Sequence, residues 1–64
     1  MNYFLSFLRK GRSDYEDYTG VGVIWYNTFD EALADAETLI TKDKNVLSVR
    51  VVNKNGMIKW ELNR

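Results

Sequence analysis

The sequence predicts an α+β domain of ββαββ order, with one helix packed on one face of a four-stranded, mostly antiparallel sheet. Three features lead there. A capping box at Thr28-Phe29-Asp30-Glu31 opens a long amphipathic stretch. Two runs of alternating β-branched and aromatic residues precede it, and two more follow it, joined by Asn55-Gly56. The 64 residues form a single domain, 1–64, close to the smallest size at which a hydrophobic core holds without covalent staples.

The first strand is expected over residues 3–9, with Tyr3, Leu5 and Phe7 on one face and Phe4, Ser6 and Leu8 on the other. Lys10-Gly11-Arg12-Ser13 breaks the pattern, and Asp14 to Gly20 reads as a polar loop of acids and tyrosines. Val21 to Tyr26 is the second strand. Gly20-Val21-Gly22 lacks the Lys-Ser/Thr of a phosphate loop and suits a turn and bulge.

In the helix, Thr28 caps the first turn, Glu31 reaches back, and Asp30 and Glu31 meet the positive end of the helix dipole. Phe29, Ala32, Leu33, Ala36, Leu39 and Ile40 fall on a stripe of roughly 120°, with Asp30, Ala34, Glu37, Thr38 and Thr41 facing away. Lys42 and Lys44 suit the negative end, with Asn45 in a left-handed closing conformation. Strands over Val46–Asn53 and Met57–Leu62 complete the order, with both residues of Asn55-Gly56 suited to positive φ. Such a sheet has room for its last strand beside its first, as in the immunoglobulin-binding domain of protein G.

One helix covers one sheet face. Leu5, Phe7, Val21, Val23, Trp25, Leu47, Val49, Val51, Ile58, Trp60 and Leu62 are assigned to the helix side. Phe4, Leu8, Ile24, Tyr26, Val46, Val52 and Met57 then share the far face with Ser6, Arg50, Lys59 and Glu61. That is more apolar surface than a solvated face usually carries. A homodimer through this face is one way to cover it.

The absence of Cys and His excludes a thiol nucleophile, a structural zinc site and imidazole chemistry. No catalytic residue, metal or cofactor is expected, and the chain reads as a non-enzyme. Without cysteine a reducing, cytoplasmic setting fits best. The apolar N-terminal stretch lacks the leading positive charge, length and cleavage site of a signal peptide, and it is too short to span a bilayer.

The zero net charge conceals segregation. Residues 1–12 hold Arg9, Lys10 and Arg12 and no acid; residues 13–41 hold Asp14, Glu16, Asp17, Asp30, Glu31, Asp35 and Glu37 and no base. Residues 42–64 are basic again, with only Asp43 and Glu61 opposing six cations. An acidic surface interleaved with Tyr15 and Tyr18 suits an Arg/Lys-rich patch on another protein and, in its extreme form, imitates the phosphates of a nucleic acid. The expected partner surface is Asp14, Tyr15, Glu16, Asp17 and Tyr18, extended by Asp30, Asp35 and Glu37 on the helix. A weak nucleic-acid binder, using Arg50, Lys54 and Lys59 on the sheet, is a further alternative that neutral charge disfavours.

The stretch Asn27 to Glu37, preceded by a strand and followed by Ser48-Val49-Arg50-Val51, resembles the small host RNA-polymerase inhibitors of podophages over about a third of the chain. The resemblance implies one helix on an antiparallel sheet, and docking of acidic and Arg-bearing surfaces onto a host protein. It assigns Arg50 as a strand arginine that contacts the partner. The broader expectation is a small phage- or mobile-element-type inhibitor of a host protein, acting on transcription or on a defence system.

Overall fold

The computed structural model describes residues 1–18 and 23–64. One helix, α1 (Phe29–Lys42), lies on an antiparallel sheet built from β1 (Tyr3–Arg9), β2 (Glu16–Asp17), β3 (Trp25–Tyr26), β4 (Val46–Asn53) and β5 (Ile58–Asn63). The α+β class and the single helix agree with the sequence reading. Among the described residues the sheet has five strands, because β2 forms inside the stretch expected to be loop; of the described part of the expected second strand, Trp25–Tyr26 pairs with β1. Val21 and the turn expected at Gly20-Val21-Gly22 lie outside the described residues.

The strand order is β2-β1-β4-β5, with β3 on the same side of β1 as β2. β1 therefore lies beside β4, and β5 forms the outer edge, so the last strand is not beside the first. Leu5, Phe7, Val49 and Val51 project toward α1 and are buried, together with Ala32, Ala36 and Ile40 of the helix. The two alanines bring the helix axis close to the sheet, and Phe29 and Leu39 pack at its flanks.

The expected cap forms. The Glu31 N–H donates to Thr28 Oγ1 at 3.2 Å, and the Thr28 hydroxyl donates to Glu31 Oε1 at 2.9 Å. The helix ends differently from the expectation. No described residue other than glycine has positive φ, so Asn45 does not close the helix in a left-handed conformation. Asp43 is the cap, in extended backbone, and its Oδ1 accepts from the Asn45 N–H at 3.0 Å. The Arg64 guanidinium, from the end of β5, donates to the carbonyls of Ile40, Asp43 and Val46. A cation there satisfies carbonyls that the helix leaves unpaired and opposes the negative end of the dipole.

Two bulges change which residues face the core. The β1–β4 register passes from Leu8↔Ser48 to Arg9↔Val46, skipping Leu47. Val46 is consequently fully buried and Leu47 is exposed, the reverse of the expected assignment. Between β4 and β5 the register passes from Val51↔Trp60 to Val52↔Ile58, which moves Ile58 to the far face. Trp25 and Tyr26 are also exchanged. Tyr26 pairs with Tyr3 on the helix side and is buried, whereas Trp25 pairs with Phe4 on the far face and is 40 % exposed. A one-residue change of register flips every side chain of a strand, so alternation alone could not choose between the two. The turn after β4 has positive φ only at Gly56 (+82°), whose N–H returns to the Asn53 carbonyl at 3.0 Å. Asn55 keeps a negative φ, contrary to the expectation.

The far face is less open than alternation suggests. Ser6, Ser48 and Val52 are buried there. The Tyr15 hydroxyl donates to Ser48 Oγ at 2.7 Å, and the Arg50 guanidinium stacks 3.7 Å from the Tyr15 ring centre. Phe4 and Trp25 make an edge-to-face pair at 5.2 Å.

Candidate functional site: an acidic groove beside the helix

The segment from Asp14 to Tyr18 was expected to act as one surface. Because part of it becomes β2, its side chains alternate between the two faces of the sheet. Asp17 opposes Ser6 on the far face and Glu16 opposes Phe7 on the helix side. Tyr15, one residue before the strand, turns to the far face and is held by Ser48 and Arg50. Tyr18, bonded through its N–H to the Leu5 carbonyl, turns to the helix side and packs edge-to-face on Phe7. Sequence neighbours are thereby separated, and only Glu16 and Tyr18 join the acids of the helix.

On the helix side an open groove of about 500 Å³ runs between Tyr18 and the second half of α1, lined by Asp35, Thr38, Leu39, Lys42 and Asp43. Tyr18, next after β2, and Asp35, on α1, both line the groove, and Tyr26 ties Asp35 to β3, which shares the outer side of β1 with β2. The Tyr26 hydroxyl, from the buried end of β3, donates to Asp35 Oδ2 at 2.8 Å. That bond fixes the carboxylate while Oδ1 has no protein donor among the described residues. Burial, and then the Asp35 carboxylate, hold the Tyr26 phenol protonated well above its ordinary pKa. The bond therefore persists across the physiological range.

Two cations adjoin the groove: Lys42, which lines it and has no ion-pair partner among the described residues, and Arg9. Arg9 contacts Asp43 at 3.4 Å and Glu16 at 3.9 Å, exposed pairs of the kind that contribute up to about 1 kcal/mol. Glu37 is exposed beside Thr38, Thr41 and Lys42 on the next ridge of the helix. Asp30 is exposed in the first turn of α1, about 10 Å away along the axis from Glu37 by helical rise. Asp14, Asp17, Asp30, Asp35 and Glu37 have no ion-pair partner among the described residues.

Arg50 is placed elsewhere. Its Nε donates to Glu61 Oε1 at 2.6 Å across the β4–β5 ladder, on the far face under Tyr15. The hydrogen bond from Asn63, and then that from Arg50, draw the Glu61 carboxyl below its usual pKa. Arg50 thus has internal partners and does not adjoin the groove, and it is not grouped with Lys54 and Lys59 as a free basic cluster. Two residues that the sequence did not single out matter here. Tyr26 positions Asp35 nine residues on, outside any local motif; Asp43 lines the groove, meets Arg9 from β1 and caps the helix, the cap itself being a local contact with the Asn45 N–H.

Among the described residues, no cluster of three or more Asp and Glu side chains is placed to hold a metal ion. No helix among the described residues is long and apolar enough to cross a membrane. Comparison with protein families, curated proteins and solved structures finds no match.

Proposed function

We propose that this chain is a small non-enzymatic protein-binding module that docks a basic surface of another protein in the groove between Tyr18 and α1. The observation that carries the reading is Asp35: a carboxylate fixed on one oxygen by Tyr26, with no donor to the other among the described residues, facing a groove with an aromatic wall. A carboxylate and a tyrosine ring together suit an arginine, whose planar guanidinium donates charge-assisted hydrogen bonds to the carboxylate and stacks on aromatic faces. Glu16 and Glu37 extend the negative field along the rim and steer a cationic partner to it.

We further propose that the partner is a host protein and that binding inhibits it, as in the small phage proteins that the helix segment resembles. The size, the acid-rich helix and the absence of cysteine support that class. The test is capture from a bacterial lysate followed by mass spectrometry, with the recovered partner then titrated against variants. Asp35→Asn keeps an oxygen for the Tyr26 hydroxyl and removes the charge, and is expected to weaken binding by about tenfold or more, as loss of a charge-assisted contact does. Asp17→Lys, on the far face, is expected to leave affinity within about twofold. Equal affinity for wild type and Asp35→Asn overturns the groove as the docking site.

A further inference from the structure

The sheet has two outer sides, and only one is occupied by short covering strands. β2 and β3 line the outer side of β1. On the other side, no strand among the described residues pairs with the outer edge of β5, Ile58–Asn63. α1 packs on β4, β1 and β3 rather than on β5, from which Trp60 reaches the edge of the core. Leu62 and Ile58 on this strand are 40 % and 50 % exposed.

The direction of the free backbone groups follows from the ladder. The Arg64 N–H donates to the Leu47 carbonyl at 2.7 Å, in line with the Val49↔Leu62 register. Alternation then points the N–H and C=O of Leu62 and Trp60 toward β4, and those of Glu61 and Asn63 outward. This is a template for another antiparallel strand.

We infer that the occupant is a second copy of this chain, paired β5 to β5 about a two-fold axis through Glu61. In that register Trp60 lies opposite Leu62 of the second copy, and Leu62 opposite Trp60 of the second copy, all on the helix side of the joined sheet. Four apolar side chains then meet, two half-buried tryptophans at the edge of the core and two exposed leucines. Glu61 lies opposite its own equivalent, and each is already held by Arg50 at 2.6 Å and by Asn63 at 3.0 Å. The central cluster is therefore two neutral ion pairs side by side. A shift of one residue would set Trp60 and Leu62 against the far-face row. The two-fold arrangement uses the open edge of both copies, so assembly closes at two chains. The acidic grooves, on the β2 side, remain free at the two ends of a continuous sheet, and the inference does not rest on what they bind.

The absence of cysteine makes the register directly testable. Opposed residues of a hydrogen-bonded antiparallel pair have Cα atoms about 5.5 Å apart, within the span of a disulfide. Glu61→Cys should therefore form a disulfide-linked dimer under mild oxidation. Asn63→Cys should not, since its opposite residue is Lys59 of the second copy, and Thr38→Cys on the exposed helix should not. Wild type should show twice the 7.5 kDa chain mass by light scattering at high micromolar concentration, and Leu62→Lys should return it to one chain with its circular dichroism unchanged. A wild-type protein of single-chain mass overturns the inference. So does cross-linking of Asn63→Cys or Thr38→Cys as fast as Glu61→Cys.

Discussion

The two outer sides of the sheet are built on opposite plans. On the β2 side, side chains finish the structure: Tyr18 packs on Phe7, Arg9 joins Glu16 to Asp43, and Tyr26 ties the helix to β3 through Asp35. On the β5 side the backbone is left open and the residues are apolar in alternation. On the proposed reading, the difference separates two kinds of recognition in one small chain. Fixed carboxylates beside a tyrosine select a partner by charge, whereas an open strand selects by shape and register.

The strongest perturbation of that contrast comes from the layer both sides share. Leu5 is fully buried at the middle of β1; Leu5→Ala should cost about 3 kcal/mol in urea unfolding, and lower the stability of both sides together. If instead only groove binding were lost, with the midpoint unchanged, the two sides would not share a core.

A smaller loss is expected where the loop crosses to the far face. Ser48 is buried and its hydroxyl accepts from Tyr15. Tyr15→Phe leaves that hydroxyl without its partner and should cost about 1–3 kcal/mol, whereas Ser48→Ala should cost less because the Tyr15 hydroxyl can turn to water. Equal losses, measured by thermal unfolding of the two variants, would show that the bond is not what holds the loop.

Two titrations separate the sides by pH. Folding raises the Tyr26 pKa, so its contribution is complete below the unfolded value of 10.0 and is lost as pH rises above it. Tyr26→Phe should flatten the fall in melting temperature on the alkaline side. Folding lowers the Glu61 pKa, so its contribution is present above the ordinary value of 4.5 and is lost as pH falls below it. Glu61→Gln should flatten the acid side by a smaller amount, since the pair is exposed. Unchanged slopes in the variants would remove these two groups from the account.

Much of this was readable in the sequence, and the rest was not for definite reasons. The helix was legible because its signals are local: Thr28 and Glu31 sit three residues apart, and Ala32, Ala36 and Ile40 repeat at helical spacing. The β4–β5 turn was legible from Asn55-Gly56, though Gly56 alone supplies the positive φ. Face assignments failed at Leu47, Ile58 and Trp25 because bulges and registers depend on the neighbouring strand. The acids of the partner surface were visible by composition, but their division between two faces was not. It depends on β2, a two-residue strand at Glu16–Asp17 whose sequence has low strand propensity and whose pairing with β1 is tertiary. Tyr26, which aims Asp35, gave no sign beyond its ring.

The most direct measurement is amide hydrogen exchange on the chain with and without its captured partner. Slower exchange on binding is expected at Tyr18 and from Asp35 to Asp43, with no change at Trp25 or along Ile58–Asn63. Protection confined to Trp25, Val52 and β5, with the Tyr18 and α1 amides exchanging as before, would contradict the placement of partner recognition in the acidic groove.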